Sequence, residues 1–206
     1  MILKKFTFIL LLLFFNFISK AQSNTNNWVI GIGVNAVDYF PVTEISFNGN
    51  TGGFMNQITN AKDHLNVYGP RINVTHYWKN NISFDASFSL NKISKIGDAV
   101  INDTNYYAFD ASVQYSILNP ENKFSPYILV GGGYTFALSS GGTLNLGLGS
   151  NLWLSDSIGI NTQGMYKYNS PDFGLFSHFY YSFSVIFNLN SGGNGFLGGG
   201  RGRNCF

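Results

Sequence analysis

Charge is scarce in this sequence. Of its 206 residues only 11% are Asp, Glu, Lys or Arg, about half the share of an ordinary soluble domain. It holds one cysteine, Cys205, which excludes an intrachain disulfide and any cysteine-built metal centre. After the first 21 residues no apolar run approaches the roughly 20 residues that a spanning helix needs. The nearest, PYILVGGGYTFAL at 126–138, is short and broken by three glycines. A disordered chain and a coiled coil are excluded by what is abundant: 45% hydrophobic and 17% aromatic residues, with 24 Gly, 20 Phe and 12 Tyr.

Residues 1–21 read as a secretory signal peptide. Lys4 and Lys5 form a positive start, 6–18 (FTFILLLLFFNFI) an apolar core, and Ser19 and Ala21 the small side chains before a cut. Removal of Lys4, Lys5 and Lys20 leaves nine basic residues against ten acidic ones, so the formal charge of +2 falls to about −1. A nucleic-acid partner has no support in so balanced a chain.

The remainder shows apolar–polar alternation with period two, the mark of strands with two unlike faces. In 82–91, Ile82, Phe84, Ala86, Phe88 and Leu90 point one way and Ser83, Asp85, Ser87, Ser89 and Asn91 the other. The pattern predicts strands at 28–37, 68–78, 82–91, 105–117, 125–137, 143–154, 158–168 and 178–189, with no Asp, Glu, Lys or Arg on any apolar face. Three connections are short (79–81, 118–124, 155–157). The four that alternate with them (38–67, 92–104, 138–142, 169–177) are mostly longer. Short turns on one side and longer loops on the other are the pattern of an outer-membrane barrel with both termini in the periplasm. Trp28, Trp78 and Trp153 fall at the turn side, where amphipathic rings suit the headgroup layer. The alternation itself points Trp153 inward.

The predicted fold is therefore all-β: an eight-stranded antiparallel up-and-down transmembrane β-barrel over 22–189, followed by a glycine-rich tail over 190–206. An open sheet edge cannot persist in hydrocarbon, where every unpaired N–H or C=O costs several kcal/mol. A secreted sandwich or a lipocalin-type barrel would place charge on the second face of most strands. Here that face is mainly Ser, Asn, Gly, Thr and Tyr.

WVIGIGVNAVDYFP (28–41), GGGYTF (131–136), LNLGLGSNLWLSD (144–156) and QGMYKYN (163–169), in this order and spacing, resemble the N-terminal barrel of OmpA-family outer-membrane proteins. The resemblance covers nearly all of 28–189. It implies a Gram-negative outer-membrane barrel that is mainly structural, in some members a narrow pore and in others an adhesin. Many members continue into a peptidoglycan-binding domain. Here only SGGNGFLGGGRGRNCF follows Asn190, so the barrel-only form is expected, without a cell-wall tether.

On the inward faces the alternation places Arg71, Asp85, Asp110 and Lys167, with Asn73, Gln114, Asn145, Asn151, Asn161 and Gln163. An eight-stranded barrel is just wide enough for side chains to fill. The expectation is a charge-balanced plug, with Asp85 near Asp110 and either Arg71 between them or a proton shared by the two. A gate in a narrow conduit is the functional alternative. Ser177, His178 and Asp172 near the outer rim are the candidates for a lipid-modifying enzyme, against the simpler reading of interfacial polar residues; no enzyme is expected. Gly131–Gly133, Gly147 and Gly149 sit within strands rather than in phosphate loops, and neither a cofactor nor a metal is expected.

The 38–66 loop is the candidate surface for an extracellular ligand. Its Tyr39, Phe40, Phe47 and Phe54 are either partner contacts or the loop's own small core. The last strand, HFYYSFSVIFNL, sends aromatics toward lipid and is the expected signal for the barrel-insertion machinery, through Phe187 or Leu189 more than the distant Phe206. Expected partners are thus outer-membrane lipid, that machinery and an unidentified ligand.

Overall fold

The computed structural model describes residues 28–39, 65–96, 99–120, 122–169 and 177–189. Eight strands follow in chain order: β1 (Trp28–Asp38), β2 (Asn66–Lys79), β3 (Ile82–Ile96), β4 (Ala99–Ser116), β5 (Phe124–Phe136), β6 (Ser140–Trp153), β7 (Ile158–Tyr168) and β8 (His178–Asn188). Each pairs antiparallel with its neighbour, and β1 pairs with β8, which closes the barrel. The start of β1, the end of β8 and the short turns share one rim, called the turn rim. The β1–β2, β3–β4, β5–β6 and β7–β8 connections share the other, the loop rim. The 1–21 and 190–206 segments, and Phe40, Phe47, Phe54 and Asp172, lie outside the described residues.

The outward face is the apolar one. Leu144, Leu146 and Leu148 of β6 are each more than two-thirds exposed, and Ile32, Phe109, Val130 and Phe183 stand out in the same way. Burying such a surface in water-excluding lipid removes the cost of exposing it. Among the described residues the exposed charges are Lys79, Lys92, Asp103 and Asp156, all near strand ends or turns.

Local chemistry explains the details. Asn80 and Asn81 both have positive φ, 52° and 63°, as a two-residue hairpin between right-twisted strands requires. On β2, Gly33 faces Arg71 but Asn35 faces Tyr68, so Gly69–Pro70 inserts one extra residue. The insertion resets the alternation and lets Asn66 and Arg71, five positions apart, both turn inward.

The 92–104 segment, expected as a loop, is instead a continuation of the hairpin: β3 runs to Ile96 and β4 starts at Ala99, with Lys95 opposite Val100. Its alternation has opposite polarity, with Lys92 outward and Ile93 fully buried inside. Toward the loop rim the outer face turns polar at Lys92 and Asp103, while the inner face becomes a small apolar core.

Candidate functional site in the barrel lumen

The inward side chains stack in three zones. At mid-height lie two ion pairs. Lys167 Nζ donates to Asp110 Oδ2 at 2.8 Å, and Asp110 Oδ1 accepts from Asn145 Nδ2, also at 2.8 Å. Arg71 Nη2 stands 3.6 Å from Asp85 Oδ2. That pair is completed through Asn73, whose Oδ1 accepts from Arg71 Nη1 at 3.0 Å while its Nδ2 donates to Asp85 Oδ1 at 3.0 Å. Thr75 Oγ1 adds a 2.6 Å hydrogen bond to the same carboxylate oxygen. All four charged groups are buried, a condition that demands pairing.

Asp85 and Asp110 therefore do not share a cation. The β3–β4 register sets Asp85 against Ser112 and Asp110 against Ser87. Each carboxylate turns to a different neighbour, Asp85 to β2 and Asp110 to β6 and β7, which removes the conflict expected of two adjacent acids.

Around the pairs sit aromatic rings that alternation did not single out. Tyr127 Oη donates to Gln163 Oε1 at 3.1 Å and accepts from Asn161 Nδ2 at 2.7 Å. Its ring lies across Gly149, where a Cβ would fall 2.5 Å from the phenol oxygen, so only glycine leaves room for it. Tyr180 Oη and Ser89 Oγ are 2.5 Å apart, and the Tyr180 ring lies 5.0 Å from Lys167 Nζ, within cation–π range.

Toward the loop rim the lumen is capped by rings. Tyr106 Oη and His178 Nε2 are 3.1 Å apart, and the Tyr39 ring packs against His178 at 4.8 Å between centroids, tilted by 43°. Ile93, Val37 and Ala108 fill the space beside them. Three asparagines bind strand ends here. Asn66 Nδ2 donates to Lys95 O at 2.9 Å while its Oδ1 accepts from the backbone N–H of Ser94 and Lys95 at 2.9 and 3.0 Å. Asn91 Nδ2 reaches Asn35 Oδ1 at 2.7 Å and Asn66 O at 2.9 Å. Toward the turn rim the lumen holds a cavity of about 30 Å³ lined by polar side chains such as Asn73, Thr75, Gln114 and Asn161 and by the apolar Val29 and Ile186, room for about one water.

Three expectations change on this geometry. Trp153 does not belong to the rim girdle; it is buried with Val29 and Ile186 at the turn-rim end of the lumen, because its odd position in β6 follows the inward face. Trp28 and Trp78 are exposed outside. His178 is not an interfacial residue but part of the internal cap, and Ser177 Oγ is tied to the Asn169 backbone at 3.0 and 3.2 Å. Tyr39, grouped in the sequence with the loop's candidate contacts, is buried in the same cap. Among the described residues no group of three or more His, Cys, Asp or Glu could hold a metal.

Among solved structures the chain is similar to the outer-membrane protein OprG of Pseudomonas aeruginosa, at 12% identity over 82% of this chain and 99% of that one, with a TM-score of 0.53. The fold is that of the eight-stranded outer-membrane barrels. Neisserial surface protein A (15% identity, 79% and 95% coverage, TM-score 0.49) and Ail of Yersinia pestis (15%, 79% and 97%, 0.47) align as well. No protein-family model matches the sequence, and no curated protein does.

Proposed function

We propose that this protein is a structural barrel of the Gram-negative outer membrane, delivered by a cleaved signal peptide over 1–21, with a lumen closed to solutes and no catalytic role. The observation that carries the reading is closure at two levels. The ion pairs with Tyr127 and Tyr180 fill the middle, and the Tyr39–Tyr106–His178 cap fills the loop rim. A porin-like role would require both layers to move together. The outward aromatics of β8, Phe179, Tyr181, Phe183 and Phe187, supply the apolar strand that barrel-insertion machinery would handle.

The test is conductance of the purified, refolded protein in planar bilayers. The expected record is a flat baseline broken at most by rare brief steps. Sustained open channels would overturn the closed-barrel reading.

A second reading is a binding protein acting through the rim that carries the 38–66 loop. One feature of the described residues favours it: the β3–β4 hairpin, with strands of 15 and 18 residues against 11 for β1, β7 and β8, continues past its neighbours on that side. Val100 there is 80% exposed.

A further inference from the structure

The outer wall is not uniformly ridged. At mid-height the register aligns Ala86 of β3, Ala111 of β4 and Gly132 of β5 in one row. The row toward the turn rim holds Phe84, Val113 and Val130, and the row toward the loop rim holds Phe88, Phe109 and Tyr134. The small side chains leave two hollows of about 450 and 480 Å³ on the lipid face. Both are walled in part by Val74, Ala86 and Ala111, so they form one depression. It spans about four residues of strand rise, roughly 13 Å along the wall.

The end of this depression at the turn rim is different in kind. Trp28 and His76, whose ring centroids are 4.3 Å apart, line it. His76 Nδ1 is shielded there and has no hydrogen-bond partner among the described residues. Trp78 packs on Phe84 at 5.7 Å, and Lys79 Nζ sits 4.7 Å from the Trp78 ring. A cation, an unsatisfied imidazole nitrogen and two interfacial tryptophans thus stand at headgroup depth, directly below an apolar trough at acyl-chain depth.

We propose that this surface is a binding site for one anionic phospholipid of the periplasmic leaflet, its phosphate held by Lys79 beside the Trp28–His76 ring pair and one acyl chain laid over Ala86 and Ala111. The occupant is argued from charge and depth together. A second barrel would bring its own apolar wall to the trough and leave the exposed Lys79 without a complement. The inference rests on the membrane location proposed above.

Native mass spectrometry of the full-length protein refolded in vesicles of phosphatidylglycerol and phosphatidylcholine tests it. The expected spectrum retains one phosphatidylglycerol per barrel, at least about fivefold over phosphatidylcholine. Ala111→Phe, which fills the trough with an apolar ring on the lipid side, should abolish retention, and Lys79→Gln should abolish the preference while leaving the apolar adduct. Equal retention in wild type and Ala111→Phe, or no headgroup preference in wild type, would overturn the site. A dimer lost on Ala111→Phe, with no lipid retained, would also overturn it and identify a second copy as the occupant. Heat-dependent gel mobility reports folding and insertion separately. A folded, inserted barrel without bound lipid sinks this proposal and spares the membrane reading, whereas a failure to insert sinks both.

Discussion

The two ion pairs of the lumen each join a buried aspartate to a buried cation, an ammonium in one and a guanidinium in the other, and they differ in what surrounds them. Lys167 and Asp110 meet directly at 2.8 Å, and the remaining neighbours of the ammonium are ring faces, Tyr180 at 5.0 Å and Tyr106 at 5.8 Å. Arg71 and Asp85 stand 3.6 Å apart and are joined through Asn73, with Thr75 as a further donor to the carboxylate. Lys167 meets its one carboxylate directly, whereas Arg71 reaches its acid through a network in which Nη1 donates and Nε and Nη2 have no hydrogen bond among the described residues. In a buried site the cost of losing one partner depends on what is left behind, so the two pairs should respond unequally to the same deletion.

Asp110→Ala should have the largest effect. It leaves Lys167 buried with only aromatic faces for company, at a cost of about 3–5 kcal/mol, measured by urea unfolding of the protein in lipid vesicles. Asp85→Ala removes the corresponding acid from the networked pair, yet Arg71 keeps Asn73 Oδ1 as an acceptor. Its expected loss is about 1–3 kcal/mol in the same titration. Equal losses for the two variants would break the distinction between a direct and a networked pair. Tyr127→Phe keeps the ring against Gly149 but deletes the phenol's bonds to Gln163 and Asn161. It should cost about 1 kcal/mol and sharpen the estimate of what a neutral lumen hydrogen bond contributes. A loss as large as that of Asp110→Ala would mean that the network, and not the charges, holds the middle of the barrel.

Much of this arrangement was legible residue by residue. Alternation in β3 and β4 sends Asp85 and Asp110 to the face opposite Phe84, Phe88 and Phe109, and the structure places both acids inside. Partner choice was not legible, because it depends on register across three strands. The offset between Asp85 and Asp110 follows from Asp85 standing opposite Ser112, and no pattern within one strand encodes that. The hairpin beyond Asn91 was hidden for another reason. Its alternation continues with the polarity of its faces exchanged, so Lys92 outside and Ile93 inside look like noise to a search for an apolar outer face. His178 and Trp153 misled through residue type: a histidine and a tryptophan near strand ends suggest an interface, while their parity within β8 and β6 turns them into the lumen.

The trough on the outer wall and the cap inside the loop rim arise in the same way. Ala86, Ala111 and Gly132 are 25 and 21 positions apart in sequence, and only cross-strand pairing brings them into one row. Tyr39, Tyr106 and His178 come from opposite parts of the chain and meet only because β1 closes on β8.

By itself the sequence determined the number of strands, which face of each is apolar and the burial of four charged residues, since a two-residue period is a local property of the strand. The tertiary structure alone decided which acid meets which base, where the lumen is sealed and where the outer wall is hollow. Those depend on strand register and on closure of the barrel, which join residues that no local pattern connects.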